Sequence, residues 1–136
     1  MADYKAAFLQ YMDQKEIKYA DANENVVRVA YSGDNLKSIP IFVFFDKDGD
    51  NLVQFACWEI ATFPDDKYAA GLLTCNALNS KFRWVKFYLD ADKCIRAEMD
   101  AYVQLETVGE ACSQLVRRMV GIIDEAYPDL MKALWS

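Results

Sequence analysis

Cys94-Ile95-Arg96-Ala97-Glu98-Met99-Asp100-Ala101-Tyr102-Val103 alternates with period two. Ile95, Ala97, Met99, Ala101 and Val103 fall on one side, and the charged Arg96, Glu98 and Asp100 on the other. Successive strand side chains point to opposite faces. The segment therefore predicts a strand with one buried face and one that is wet or partner-facing. Just upstream, Trp84 to Leu89 alternates likewise, with Val85, Phe87 and Leu89 apolar around Lys86. The two segments predict a hairpin. Keeping both apolar sets on one face leaves two registers. Pairing Leu89 with Ile95 sets Lys86 opposite Glu98 and Trp84 opposite Asp100, whereas pairing Phe87 with Ile95 sets Lys86 against Arg96. Like charges directly opposite are unfavourable, and an opposed pair contributes roughly 0.2–1 kcal/mol. The first register is expected, with Ala91-Asp92-Lys93 at the turn.

Upstream of the hairpin, Pro64-Asp65-Asp66 opens a helix, with acids at its positive end, that runs to about Ser80. Tyr68, Leu72, Cys75 and Asn76 share one face of it. Gly71 in its interior costs ~1 kcal/mol relative to alanine. It is either a close-packing site or a tolerated glycine. Asn76 and Asn79 form a polar pair near the helix end. They either satisfy local backbone groups or anchor a groove. Downstream, Thr107-Val108-Gly109-Glu110 fits a capping box, with Thr107 as N-cap and Glu110 reaching back. The next helix carries Cys112, Leu115, Val116, Met119, Val120, Ile123 and Ala126 as its apolar stripe. Pro128 is expected to interrupt it, leaving Asp129 to Trp135 as a short final helix.

The first half supplies a helix from Ala2 to about Glu16, with Tyr4, Phe8, Tyr11 and Met12 as its stripe. After a turn at Asn23-Glu24-Asn25 come strands over Val26–Tyr31, Ile39–Phe45 and Leu52–Trp58. The continuous apolar run of the second is that of a strand covered on both faces or central in the sheet. Pro40 is expected at its beginning, because proline cannot donate to a ladder. Asp46-Lys47-Asp48-Gly49-Asp50-Asn51 reads as a hairpin loop. The order is α-β-β-β-α-β-β-α plus a tail helix. It predicts one α+β domain over residues 1–136, a five-stranded antiparallel sheet with helices packed on it.

Composition restricts the function. The chain has 136 residues, 54% hydrophobic and 14% aromatic, enough for a core and against disorder. With 21 acidic and 15 basic residues the net charge is −6, and no basic run occurs. Nucleic acid and anionic membrane surfaces are poor partners for such a chain. No apolar stretch reaches the roughly 18 residues of a membrane span. Met1-Ala2-Asp3-Tyr4-Lys5 lacks a basic region followed by an apolar block. No secretory signal and a cytoplasmic location are therefore expected. Cys57, Cys75, Cys94 and Cys112 have no C-x-x-C spacing and lie among apolar neighbours, as buried thiols in a reducing compartment do.

No histidine occurs, which excludes Ser–His, Cys–His and histidine-ligated metal chemistry. From Asp46, the positions where a calcium loop needs Gly and Glu hold Asn51 and Cys57, and no helices flank the segment, so a solvated turn is the reading. A paired-carboxylate site using Glu59, Asp65 or Glu98 stays open, though no spacing demands it. No catalytic residue, metal ligand or cofactor is assigned. Core packing is expected for Trp58. The hairpin's wet face, with Trp84, Lys86, Tyr88, Arg96 and Glu98, is the candidate contact surface.

Leu72-Leu73-Thr74-Cys75-Asn76-Ala77-Leu78-Asn79, then Phe87-Tyr88-Leu89-Asp90, the alternation to Asp100 and a late helix together resemble the bacterial YbjN family. The match runs from Gly71 to Leu115, and Lys93 stands where the family is expected to have a turn glycine. The resemblance implies a fold like that of type III secretion chaperones, which bind extended segments of other proteins and are commonly homodimers. It implies a non-enzymatic protein-binding module, regulatory or chaperone-like, with a protein partner or client and a homodimeric state. It transfers no catalytic residue. The alternative is a small-ligand binder or an undetected enzyme using a pocket between sheet and helices.

Overall fold

The register chosen by charge is the one the chain adopts. In a computed structural model, which describes residues 3–136, Lys86 lies opposite Glu98, Phe87 opposite Ala97, Tyr88 opposite Arg96 and Leu89 opposite Ile95. In chain order the elements are α1 (Tyr4–Gln14), β1 (Ala20–Asn23), β2 (Val26–Tyr31), β3 (Ile39–Phe45), β4 (Leu52–Cys57), a 3-10 turn (Asp65–Lys67), α2 (Tyr68–Lys81), β5 (Lys86–Leu89), β6 (Ile95–Tyr102) and α3 (Val108–Trp135). The sheet is antiparallel, in the order β1-β2-β3-β4-β6-β5.

Among the described residues the sheet has six strands rather than the expected five. The added strand, β1, is exposed at every residue and has no apolar face to betray it. It is held from α1 by the Lys5 ammonium, 2.7 Å from the Asp21 carboxylate and donating to the Asn23 and Glu24 carbonyls. The Asn23 side chain accepts from Asn25 N–H and closes the turn into β2. The expected start of α1 at Ala2 lies outside the described residues. Asp3 caps the helix by accepting from Ala6 N–H at 2.9 Å.

The three helices pack on one sheet face. Phe8 and Met12 of α1, Cys75 and Leu78 of α2, and Cys112, Val116, Met119 and Ile123 of α3 join Val27, Ile41, Val43, Phe55, Phe87 and Ala97 in one core. Gly71 proves to be a close-packing site: a Cβ there would lie 2.9 Å from Leu89 Cδ1 and 3.1 Å from Phe63 Cδ2. The buried side of α2 runs through Gly71, Cys75 and Leu78, leaving Leu72 and Leu73 exposed. Burial pushes the thiols of Cys57 and Cys112 up to about 12 and of Cys75 to about 11. Cys94 is only half-buried, with Sγ 3.3 Å from Thr62 Oγ1.

Two further expectations fail for local reasons. No capping box forms at Thr107. Its N–H is taken by the Gln104 carbonyl, so Glu110 has nothing to reach back to, and the Thr107 side chain caps nothing. Nor does Pro128 break α3, which continues to Trp135. Proline leaves the carbonyl four residues earlier without its donor. That carbonyl belongs to Asp124, and Asn35 Nδ2 donates to it at 3.1 Å. The Asp124 carboxylate in turn accepts the N–H groups of Asp34, Asn35 and Leu36, at 3.0, 2.8 and 2.9 Å. The β2–β3 loop is thereby tied to the helix and repairs its proline position.

Candidate functional site

Among the described residues, no helix covers the second face of the sheet. Strand parity and register place Arg28 and Ala30 of β2, Pro40, Phe42 and Phe44 of β3, Gln54 and Ala56 of β4, Glu98, Asp100 and Tyr102 of β6, and Lys86 and Tyr88 of β5 on it. Phe42 and Phe44 are half-buried, and Tyr102 is 79% exposed. Trp58 follows β4 and stacks on Phe42, centroids 4.7 Å apart, with Phe44 at 5.7 Å. Trp58 is thus half-buried on the open face rather than in the core. Its Nε1 is buried and has no hydrogen-bond partner among the described residues. Beside Phe44 the face drops into a groove of about 760 Å3 bordered by Asn25, Asp46, Leu52 and Gln54.

Four of the five expected surface residues meet here. Tyr88 Oη donates to Glu98 Oε2 at 2.8 Å, and Arg96 Nη1 lies 3.5 Å from Tyr88 Oη and 3.8 Å from Glu98 Oε2. The Lys86 ammonium sits 5.7 Å from the Tyr88 ring centroid. The Arg96 guanidinium lies over Trp58 at 5.5 Å, joining the ionic cluster to the aromatic one. Arg96 Nε is 3.1 Å from Asp90 Oδ2, an ion pair whose N–H direction leaves Nε without an aligned partner. The Cys94 N–H, then the Asp92 N–H and Arg96, hold the Asp90 carboxyl below the usual carboxylate range.

The fifth residue, Trp84, does not lie opposite Asp100. Its φ of 81° ends the extended run, β5 starts only at Lys86, and the indole projects beside α3 with the Arg118 guanidinium 5.9 Å from its ring. Nor do the two asparagines act as a pair. Asn76 is exposed, while Asn79 grips the free edge of β5: Phe87 N–H donates to Asn79 Oδ1 at 2.7 Å and Asn79 Nδ2 donates to Phe87 O at 3.0 Å. Asn79 thus satisfies local backbone groups of β5.

The aromatic half of the open face was missed, though β3 carried a signal. Its inward residues Ile39, Ile41 and Val43 are β-branched, whereas its outward ones are Pro40, Phe42 and Phe44, and burial alternates along the strand. Reading the run as uniformly apolar hid that division.

The arrangement offers stacked rings flanked by a charged cluster, which suits contact with another surface. Comparison with curated protein sequences gave no match. Among solved structures, the chain resembles "YbjN, a putative transcription regulator from E. coli", with TM-score 0.65 and 13% identity over 93% of this chain and 92% of that one. It also resembles a chain of the heterodimeric complex ExoU–SpcU from the type III secretion system of Pseudomonas aeruginosa, with TM-score 0.56 and 13% identity over 93% of this chain and 96% of that one. At such identity these likenesses show the shared fold. Residues 9–131 match the family model described as "putative bacterial sensory transduction regulator", and the chain therefore belongs to the YbjN family.

Proposed function

We propose that the protein is a non-enzymatic protein-binding module, regulatory or chaperone-like, which takes its partner on the open sheet face. The observation that carries this reading is the uncovered aromatic set of Phe42, Phe44, Trp58 and Tyr102 beside the Tyr88–Arg96–Glu98 cluster. Aromatic residues and arginine dominate the energetics of protein interfaces. The solved relative within ExoU–SpcU, a heterodimeric complex, supports a protein as the partner. Three of the four thiols are raised by burial far above neutrality, which counts against a cysteine nucleophile there.

The test is a photo-crosslinking amino acid placed at Tyr102 in living cells, with a second at the exposed Lys132 of α3, on the helical side, as a surface control. A discrete adduct from Tyr102, lost on Phe42→Glu but not on Gly121→Ala, supports the reading. Light scattering shows whether that adduct is a second copy of the chain, as the homodimer reading expects. Equal background labelling from both positions overturns it.

A further inference from the structure

On the helical side, a groove of about 1080 Å3 runs between α3 and the segment Lys81–Trp84. Arg83, Arg117, Arg118 and Lys81 rim it, while Leu115 and Ile122 line its floor. Three of the chain's five arginines thus gather around one groove of a protein whose net charge is −6. Glu125 is its acidic lining residue and lies 3.9 Å from Lys81.

Trp84 stands in the middle of this cluster. It is 63% exposed, and its φ of 81° is a conformation that a bulky residue rarely adopts. Strained backbone of this kind persists only where the surroundings enforce it, and such positions gather at functional sites. Here the strain turns the indole away from the sheet and under Arg118, 5.9 Å from the ring. Exposed tryptophan and arginine over an aliphatic floor form the composition of an interface hot spot.

We propose that this groove docks an acidic segment of a partner protein, with carboxylates on Arg83, Arg117 and Arg118 and a large apolar side chain laid against Trp84 and Leu115. Charge complementarity commits the occupant. A strongly acidic protein concentrates its cations here, and guanidinium groups bind carboxylates bidentately. A peptide can place a few carboxylates among them while its backbone passes Glu125. A nucleic-acid strand carries a phosphate at every step and meets the repulsion of the whole chain. Its bases also need a series of exposed stacking rings, whereas the groove offers the exposed Trp84 and a half-buried Phe82. The groove lies on the sheet side opposite Tyr102, so the inference stands apart from the open-face reading.

Panning a phage-displayed library of random twelve-residue peptides on the full chain tests this. Counter-selection uses the double variant Arg117→Glu/Arg118→Glu. Survivors are expected to be net acidic with at least one leucine or aromatic residue, and to bind by fluorescence anisotropy with affinity that falls as salt rises. The double variant should weaken them at least about 30-fold, the size of a hot-spot loss. Trp84→Gly separates docking from folding. Glycine accepts the positive φ without strain, so the variant should melt no lower than the parent while losing peptide binding about 10-fold or more. Neutral or basic survivors, or acidic ones indifferent to the double variant, overturn the proposal. So does a twelve-nucleotide oligothymidine that binds the groove more tightly than any peptide. So, too, does a dimer that Arg118→Glu dissolves in light scattering, which would make the occupant a second copy.

Discussion

Replacing Asn79 with alanine should cost about 1.5 kcal/mol and loosen one strand. Asn79 gives the Phe87 peptide what a neighbouring strand would give, one acceptor at 2.7 Å and one donor at 3.0 Å. A neutral hydrogen bond contributes about 1 kcal/mol net, so the pair contributes about 2 kcal/mol. Alanine returns up to about 0.6 kcal/mol in helix propensity. For a chain of 136 residues the net loss lowers Tm by roughly 5 °C. The assay is urea unfolding, where the midpoint should fall at constant m, together with hydrogen exchange at the Phe87 amide, which should speed up. Asn79→Asp sharpens the test. A carboxylate still accepts from Phe87 N–H but sets a charge against Phe87 O. It should therefore cost more than alanine at neutral pH, with the excess shrinking as acid restores a donor. The variants also bare the outer edge of β5, an open template for pairing with another chain, so self-association should rise. A loss below about 0.3 kcal/mol with unchanged protection at Phe87 would refute the reasoning, since the edge would then be held by something else.

Gly109→Ala and Gly121→Ala should move stability in opposite directions, although both lie in α3. A Cβ at Gly109 would fall 2.2 Å from Tyr11 Cβ, forcing α1 off α3 at a cost of about 2 kcal/mol, while Gly121 faces open space and should gain about 0.5–1 kcal/mol; paired urea melts decide it. Lys93→Gly should raise the thermal midpoint, because Lys93 sits at φ 63° in the β5–β6 turn and its exposed pair with Asp65 contributes at most about 1 kcal/mol; a drop would mean that pair outweighs the backbone strain. The backbone N–H of Leu36, then those of Asn35 and Asp34, hold the Asp124 carboxyl below the usual carboxylate range. A depressed folded pKa stabilises above the unfolded value near 4 and is lost as pH falls through the folded one. Asp124→Asn should therefore flatten the acid limb of a stability–pH profile, and an unchanged limb would show that the loop is held otherwise.

The β-branched strands were legible to the residue and the alternating hairpin in its register, though β5 and β6 are shorter than the runs that announced them. β2 and β3 run over Val26–Tyr31 and Ile39–Phe45 as expected, and β5 and β6 pair as Lys86 and Glu98 require. What escaped depends on partners far along the chain. β1 carries only Ala20-Asp21-Ala22-Asn23, and Lys5, 16 residues before Asp21, holds it in place. Pro128 should end a helix by local rules. It does not, because Asn35, 89 residues before Asp124, supplies the donor that proline lacks. A local pattern records neither contact, since each is a single polar group meeting a distant backbone.

The contact surface failed in a more specific way, and the failure bears on how it must be tested. Alternation through Trp84 to Leu89 puts Trp84, Lys86 and Tyr88 on one face only if every residue is extended. One left-handed residue breaks that parity, and Trp84 at φ 81° is that residue. The segment around β5 therefore serves two opposite surfaces: Tyr88 joins Arg96, Glu98 and the stacked rings of the open sheet, while Trp84 joins Arg118 beside α3. The two share no side-chain partner, so their substitutions should act additively on stability. A partner seated on one surface will then respond to Tyr88→Ala or to Trp84→Gly, not to both. A single client weakened by each to the same degree would mean that it wraps the β5 edge, reaching both faces past Asn79.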